Sequence, residues 1–466
     1  MENFDALLDK IDTIAWGPVL IALILMTGIY LTIRLGFVQI RHLGLALKYM
    51  VKNEENGEGE VTSFGALCTA LSATIGTGNI VGVATALVAG GPGALFWMEV
   101  AALFGMATKY AEGLLAVKYR TIDEEGHVLG GPFYYIENGM GKKWKWLAKL
   151  FAFFGVCVGL MGIGTFTQVN GITSAIGNFC GGEQARMIRI LGTPTPVAVV
   201  IAGIVLTIVV ALVLIGGIKR IANVSQVVVP FMAVIYVLFC VTLLVLNYKA
   251  IPGAVALIVS DAFGARAVAG GAFGAIIVSM QKGIARGIFS NEAGLGSAPI
   301  AAAAAQTKEP VRQGLVTMTG TFIDTIVICT MTGLSIVITG AWDKGLEGVA
   351  VTTDAFQTGI PVASNVIAFL LMMCLIFFAF TTILGWDYYS EKCLEYLTGR
   401  NETIVKVFRW LYIFAVFIGP YFTVKQVWVI ADIFNAMMAL PNLVALLALS
   451  GVIVAETKAY FKKQSK

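Results

Sequence analysis

The sequence predicts an all-α integral membrane protein with about eleven membrane-spanning helices. Three observations support this fold class: the composition, the length of the apolar runs, and two glycine-rich interruptions inside those runs. Of the 466 residues, 58% are hydrophobic and 13% are charged, and the mean hydropathy is +0.84. A water-soluble globular domain is far less apolar. We therefore expect the chain to reside in a lipid bilayer.

The apolar runs are long enough to cross a membrane as helices. The hydrocarbon core of a bilayer is about 30 Å thick and an α-helix rises about 1.5 Å per residue, so a span needs about 20 residues. The candidate spans are residues 14–35, 64–90, 93–117, 148–178, 195–216, 224–247, 268–289, 313–340, 361–385, 405–421 and 427–455.

The second span is interrupted in its first half. Residues 71–98 read LSATIGTGNIVGVATALVAGGPGALFWM, and the step Gly76-Thr77-Gly78-Asn79 breaks the apolar pattern. In lipid, a backbone group that is released from the helix must find another partner. Broken spans of this kind direct the N–H groups of a half-helix at an anion and offer free carbonyl oxygens to a cation. The interruption predicts a ligand site near the middle of the membrane.

The seventh span contains a second interruption. Residues 270–299 read GGAFGAIIVSMQKGIARGIFSNEAGLGSAP. The two broken spans are five apart, and an odd number requires opposite orientation, so we predict two inverted repeats of five helices. The predicted organisation is an extra N-terminal helix at 14–35, a first repeat at 64–247, a second repeat at 268–455 and a basic tail at 456–466.

The distribution of Lys and Arg predicts the orientation. With the N-terminus outside, about 24 basic residues fall on the cytoplasmic side and 7 on the other, which agrees with the positive-inside rule. We therefore predict a multi-pass plasma-membrane protein with its N-terminus outside and its C-terminus in the cytoplasm. The net charge of +4 is explained by this asymmetry, so no nucleic-acid partner is expected.

Other functional classes have little support in the sequence. The chain has two histidines, His42 and His127, and both lie outside the predicted spans, so a zinc centre or a histidine-based catalytic triad is not expected. There is no GxSxG motif and no GxxxxGK[ST] motif, which argues against a hydrolase and against an ATP-driven pump. A channel would not need two breaks in inverted positions. We predict a carrier that is not an enzyme.

Three stretches resemble the signature sequences of the alanine or glycine:cation symporter family. They are GGPGALFWMEVAALFGMATKYAEG (90–113), ARGIFSNEAGLGSAPIAAAAAQT (285–307) and FFAFTTILGWDYYSEKC (377–393). One departure is Glu99, where the family usually has Trp. The resemblance implies the inverted-repeat fold of the leucine transporter. It also implies cotransport of a small neutral amino acid, alanine or glycine, with sodium by alternating access.

An amino-acid substrate needs donors for its carboxylate, acceptors for its ammonium and a box for its side chain. The resemblance and the first break together predict the following substrate-binding residues: the backbone amides of Thr77, Gly78 and Asn79 for the carboxylate; the carbonyl of Thr74 and the backbone near Gly270 and Gly271 for the ammonium; and Gln168, Phe273, Ile277 and Trp386 for the pocket walls. The alternative for each aromatic residue taken alone is packing or lipid contact, and the alternative for Gln168 is a hydrogen bond to a neighbouring helix.

The resemblance also implies a sodium site. Its predicted ligands are the carbonyls of Ser72, Ile75 and Phe378 and the hydroxyls of Thr381 and Thr382. Sodium favours such hard, uncharged oxygens. The alternative is that each threonine hydroxyl only hydrogen bonds to the carbonyl four residues earlier in its own helix.

Two acidic residues inside the spans leave a second coupling ion open. Carboxylates are costly in a bilayer, so Glu99 and Asp324 are candidates to carry a proton or a second cation. Proton-coupled transport of a small amino acid is therefore the alternative function. A further polar segment, VKNEENGEGEV (51–61), is rich in Glu and Gly and is predicted to be a solvated loop.

Overall fold

The computed structural model describes residues 8, 10–11, 14–52, 54, 57–124, 126–181, 186–190, 193–264, 272–421 and 424–464, without the side chains of residues 193, 272–273 and 424–428. The first half of the chain forms α1 (Pro18–Arg34), α2 (Val38–Arg41), α3 (Leu43–Val51), α4 (Ser63–Thr74), α5 (Val83–Gly90), α6 (Gly93–Lys118), α7 (Pro132–Tyr134), α8 (Lys145–Met161), α9 (Phe166–Phe179), α10 (Val197–Leu214) and α11 (Gly217–Leu246).

The second half is also helical. It forms α12 (Ile251–Ala262), α13 (Ala272–Asn291), α14 (Ala298–Ala303), α15 (Pro310–Thr321), α16 (Thr330–Thr339), α17 (Val349–Gly359), α18 (Ser364–Thr398), α19 (Glu402–Ile418), α20 (Val424–Ala448) and α21 (Ser450–Gln464).

Shorter elements connect or widen the helices. Wider π-helical turns occupy Gly78–Gly82, Tyr135–Gly139 and Phe322–Cys329, and 3-10 turns occupy Lys142–Trp144, Tyr248–Ala250, Ala341–Asp343 and Gly419–Tyr421. Two antiparallel hairpins pair β1 (Thr121–Ile122) with β2 (Val128–Leu129) and β3 (Met187–Ile190) with β4 (Thr193–Pro196).

The predicted membrane fold is confirmed. Within the described residues, eight helical stretches are long and apolar enough to cross a bilayer, and the bent pair of α4 with residues 78–90 makes nine. The two remaining predicted spans coincide with α1, which has 17 residues, and α13, which contains charged residues. The predicted number of about eleven and the division into inverted repeats remain predictions.

Among the described candidate spans, the most enclosed is α6, which packs against the second broken span. Helix α6 packs against α13 and α15, and α18 packs against α8, α9 and α4. By contrast, α10 exposes large aliphatic side chains such as Ile201, Val205 and Leu212, as a lipid-facing helix does. The interrupted segments therefore lie in the interior, where released backbone groups find protein partners.

Two of the basic residues assigned to the cytoplasmic side lie elsewhere. Lys282 and Arg286 are on α13, and Lys282 packs against Gly90, at the end of the first broken span opposite α4. Both residues already lie inside the predicted span at 268–289, so they do not belong in a count of loop charges, and the orientation stays a prediction. The excess of basic residues on one side persists without them.

Candidate functional site

The first broken span changes direction at the predicted step. Helix α4 ends at Thr74, and Ile75 leaves the helical conformation with ψ 93°. The chain becomes helical again in the π-helical turn that starts at Gly78, and the two halves are bent by 50°. Backbone groups around Gly76 and Thr77 are thereby removed from regular helix hydrogen bonding, as expected for a ligand-binding break.

Two buried amide side chains hold this step. The backbone N–H of Gly76 donates to Asn79 Oδ1 at 2.9 Å, and the N–H of Thr77 donates to Gln168 Oε1 at 3.1 Å. Gln168 in turn donates from Nε2 to the carbonyl of Ile163 at 2.9 Å. The structure thus brings Gln168 from α9 to the first break. Its side-chain oxygen accepts a hydrogen bond from the Thr77 amide, which was predicted to bind the substrate carboxylate.

The hydroxyl of Thr77 is a buried polar group at the same place. Its Oγ1 has no hydrogen-bond partner among the described residues, although Thr77 is fully buried. Its methyl group lies against Gly171 of α9, where an added Cβ would come within 2.5 Å of Thr77 Cγ2. A buried hydroxyl without a partner is costly, so it favours a ligand that would supply one.

A cavity reaches this region from one side. Its volume is about 600 Å³, and its lining includes Val81, Thr85, Asn170, Gly171, Ser174 and Arg286. Gly171 belongs both to the cavity wall and to the contact with Thr77. Next to the cavity, Arg286 forms an ion pair with Asp432 of α20 at 2.7 Å. The cavity is large enough for the access path of a small solute.

The described part of the second broken span is interrupted later than the predicted glycines. Helix α13 is continuous from Ala272 to Asn291. The chain then turns with positive φ at Glu292 (57°), Gly294 (89°) and Gly296 (82°) before α14 begins. Gly270 and Gly271 lie outside the described residues. The signal for the observed break was the Gly-x-Gly that follows Ser-Asn-Glu-Ala.

The later break changes the assignment of the pocket walls on α13. Ile277 is 38% exposed, and it lies thirteen residues before Ser290, a distance of about 20 Å along a helix. Ile277 is therefore not part of the cluster at the breaks, and its assignment to the side-chain box is corrected. The side chain of Phe273 lies outside the described residues. Phe289 and Ser290 contact the first break instead, because an added Cβ at Gly78 would lie 3.4 Å and 3.1 Å from them.

Asp324 joins the two breaks. Its carboxylate accepts hydrogen bonds from Asn79 Nδ2 at 2.8 Å, from Ser290 Oγ at 2.9 Å and from Thr325 Oγ1 at 2.7 Å. Its backbone carbonyl also accepts from Asn79 Nδ2, at 3.1 Å. Glu99, the other acidic candidate, lies on α6, where it interacts with Thr330 and its buried Oε1 has no hydrogen-bond partner among the described residues. Asp324 is thus the acidic residue in direct contact with both interrupted segments.

Four of the five predicted sodium ligands lie together. Thr382 Oγ1 is 3.3 Å from the carbonyl oxygen of Ile75 and 3.0 Å from that of Phe378, while Thr381 Oγ1 is 3.0 Å from the same Phe378 oxygen. The single hydroxyl proton of Thr382 satisfies one of its two carbonyls at a time. The buried Ser72 hydroxyl donates to the Thr69 carbonyl. The backbone carbonyl oxygen of Ser72 is therefore the group left for the proposed site. This oxygen-rich cluster fits a small monovalent cation.

Trp386 lies one helical turn beyond Thr382 on α18 and is fully buried. Its indole Nε1 donates to Glu292 Oε1 at 2.8 Å, and the Ser297 hydroxyl donates to the other carboxylate oxygen. The second break is also held by Glu112, whose Oε1 accepts from the backbone N–H of Gly294 at 3.2 Å. Ser290, Glu292 and Glu112 were not predicted as site residues because partners such as Asp324, Trp386 and Gly294 lie far from them along the chain.

The comparisons with known proteins agree over the whole chain. A profile of the sodium:alanine symporter family matches residues 1–466. The sodium/alanine symporter AgcS of Methanococcus maripaludis is 46% identical over 467 residues, which cover 98% of this chain and 97% of AgcS. An uncharacterized transporter of Haemophilus influenzae is 53% identical over 463 residues, which cover 99% of this chain and 97% of the relative.

A solved structure identifies the architecture. The crystal structure of MhsT in complex with L-phenylalanine matches with a TM-score of 0.59 and 15% sequence identity, and the match covers 86% of this chain and 93% of MhsT. At that identity the similarity shows the fold. The predicted leucine-transporter-type fold is confirmed.

Proposed function

Because this chain belongs to the sodium:alanine symporter family and is thus a secondary amino-acid transporter, we propose that it carries alanine or glycine into the cell together with sodium. The observation that carries this proposal is the buried cluster of oxygen atoms where the first broken span meets α18. The ion-ligand candidates Ile75 and Thr382 adjoin the substrate-ligand candidate Thr77 there. Adjacent sites of this kind allow one ligand to favour the binding of the other.

The substrate carboxylate is proposed to bind at the N-terminal side of the second half-helix. The amides of Thr77, Gly78 and Asn79 lie where the half-helix dipole is positive, and the unpartnered Thr77 hydroxyl adds a donor. In this structure the Thr77 amide donates to the side-chain oxygen of Gln168. A bound substrate carboxylate would compete with that oxygen for the amide. The carbonyl of Thr74, at the end of α4, is proposed to accept from the ammonium.

The walls of the proposed pocket favour a small side chain. Gly171 lies tightly against Thr77, and the buried Trp386, one helical turn beyond Thr382, is proposed to close the pocket. One methyl group changes binding by only about 1–3 kcal/mol, so alanine and glycine are both proposed substrates. Roles for Phe273 and Gly270 remain predictions from the sequence.

Transport is proposed to proceed by alternating access. The cavity lies beside α5, on the far side of the break from α4, and under the predicted orientation this side faces outward. The orientation with an external N-terminus and a cytoplasmic C-terminus is part of the proposal. Sodium and the amino acid would enter through the cavity and leave on the side of α4.

The coupling ion is tested by uptake into sealed proteoliposomes. We expect an inward sodium gradient to drive accumulation of labelled alanine, and an imposed proton gradient without sodium to drive none. Excess external glycine should compete with the labelled alanine. Accumulation driven by a proton gradient alone would contradict sodium coupling and favour the alternative function. Counterflow of labelled against unlabelled alanine identifies a carrier, since a channel does not couple the two fluxes.

The proton-coupled alternative would use Glu99 or Asp324, and Asp324 is the one whose fully buried carboxylate contacts both broken spans. Under sodium coupling, Asp324 would act by orienting Asn79, and an asparagine oxygen can accept the same hydrogen bond. We therefore expect Asp324→Asn to retain sodium-driven alanine uptake within about threefold and Asp324→Leu to lose it, because leucine removes the side-chain oxygens that accept from Asn79, Ser290 and Thr325 in the interior. Sodium-driven uptake abolished by Asp324→Asn would assign an ion-carrying role to the carboxylate.

A further inference from the structure

The segment that was predicted to be a solvated loop is part of a closed contact. Residues 57–61, which precede α4, form backbone hydrogen bonds with residues 303–307, which start at the last residue of α14. We call this contact the clasp. The N–H groups of Glu60 and Val61 donate to the carbonyl of Ala304, at 2.9 and 3.2 Å. In the other direction, the N–H of Gln306 donates to the carbonyl of Val61 at 2.8 Å. The solvated-loop prediction was wrong because these partners lie about 245 residues away along the chain.

The glycines of this segment permit the contact. A Cβ at Gly57 would lie 2.4 Å from the carbonyl oxygen of Gln306, and a Cβ at Gly59 would lie 2.4 Å from that of Ala305. Gly59 also has φ 149°, a conformation that residues with a side chain rarely adopt. The glycine-rich composition that suggested a loop therefore serves a close backbone approach.

One side chain binds both strands of the clasp. Arg120, directly after α6, donates from Nη1 to the carbonyls of Ala303 and Ala305 at 2.6 and 2.7 Å. From Nη2 it donates to the carbonyls of Glu58 and Thr307 at 2.7 and 2.6 Å. The guanidinium thus uses four of its five N–H groups on backbone oxygens from two separate segments. Its rigid planar fork is suited to this arrangement, whereas a lysine ammonium is not.

The two strands of the clasp are the ends of the two broken spans. Residues 57–61 continue into α4, which ends at the first break, and residues 303–307 follow α14, which begins just after the second break. The hairpin β1–β2 supports the same contact, because the N–H of Val128 donates to Glu60 Oε1 at 2.7 Å. The clasp and the cavity beside α5 lie on opposite sides of the first break.

We propose that Arg120 is a positioning residue that keeps the path on the α4 side closed by joining the ends of both broken spans. Opening that side requires the two strands to separate, and separation releases Arg120 from at least one of them. Sodium opposes this opening, because a cation held between the Ile75 carbonyl and Thr382 favours the arrangement in which those groups meet. The role of sodium rests on the function proposed above, whereas the clasp itself does not.

The test is amide hydrogen exchange of the full-length protein in lipid nanodiscs, without ligand. In Arg120→Ala we expect the protected amides in 57–61 and in 303–307 to exchange together, at least about tenfold faster than in the wild type, since four charge-assisted hydrogen bonds are lost. Arg120→Lys should fall between the two. The matched control is Lys118→Ala, two residues earlier, which removes an ion pair with Glu456 and should leave the clasp unchanged.

Faster exchange confined to one strand, or wild-type exchange in both, would overturn the proposal. Arg120→Ala could accelerate exchange throughout the helices, and in that case Arg120→Lys is the deciding variant. Faster exchange in Arg120→Lys that is confined to 57–61 and 303–307 supports the proposal. Wild-type exchange rates in both segments of Arg120→Lys contradict it. Adding sodium should slow the exchange of the clasp in Arg120→Ala toward the wild-type rate, an effect that a purely structural role would not produce. If both strands exchange faster and sodium has no effect, the clasp stands and the proposed sodium site fails.

Discussion

Replacing Thr382 by valine is expected to raise the sodium concentration that half-saturates alanine uptake by about tenfold to a hundredfold. Valine keeps the shape of threonine but removes the oxygen that lies between the carbonyls of Ile75 and Phe378. Loss of one buried polar ligand costs about 1–3 kcal/mol, which corresponds to this change in affinity. The measurement is uptake of labelled alanine into proteoliposomes over a range of sodium concentrations.

The control for this variant is Thr207→Val on α10, where the hydroxyl donates only to the carbonyl of Gly203 in its own helix. Its sodium dependence should equal that of the wild type. At saturating sodium, Thr382→Val should approach the wild-type affinity for alanine, because no proposed substrate contact is removed. A wild-type sodium dependence in both Thr381→Val and Thr382→Val would show that the cation binds elsewhere.

Replacing Gly76 by alanine is expected to weaken sodium and alanine binding together, each by more than about tenfold. The added Cβ would lie 2.5 Å from Thr382 Oγ1 and 3.0 Å from Gln168 Oε1, so both side chains must move. Displacing Thr382 disturbs the proposed ion ligands, and displacing Gln168 frees the amide of Thr77. The cost of such overpacking is typically about 1–3 kcal/mol. Calorimetric titration of the purified protein measures both affinities.

Gly82→Ala is the matched control, since it lies in the same interrupted segment and its added Cβ would meet no atom within 4 Å. We expect its two affinities to stay within about twofold of the wild type, because alanine favours helix and fills open space. Equal effects of the two substitutions would mean that any methyl group in this segment disturbs binding. A loss of alanine affinity alone in Gly76→Ala would place the cation away from Thr382.

These two predictions follow from one geometric fact. The carbonyl of Ile75 faces the proposed cation, and the amide of Thr77, two residues later, faces the proposed carboxylate site. A shift of this short segment therefore acts on both ligands, and linkage requires their effects on each other to be equal. The backbone of Gly76 would therefore be enough to couple the ion site to the amino-acid site.

The membrane class and the first break could be predicted from local sequence patterns, and the ion-ligand candidates came from the family resemblance. An apolar run that crosses a bilayer has few alternatives to a helix, so an interruption such as Gly76 to Asn79 is visible as a local pattern. The adjacent threonines of α18 were recognised from a contiguous motif. Each of these features depends on residues that are neighbours in the chain. The contact of Thr382 with Ile75 joins the two segments, whereas the bonds of Thr381 and Thr382 to Phe377 and Phe378 lie within one helix, so the ion site remains a proposal.

The contacts between groups that are distant along the chain could not be predicted in this way. The second break lies at Glu292 to Gly296 because Glu112 and Trp386 from other helices satisfy its polar groups, and no local pattern reports such partners. The same holds for Asp324, which reaches Asn79 across 245 positions. The Glu- and Gly-rich segment before α4 looked solvated because its composition is polar, yet Arg120 and the segment after α14 satisfy its backbone. Hydrogen-bond satisfaction in the interior is a property of the assembled bundle, so it becomes visible only when the helices are packed.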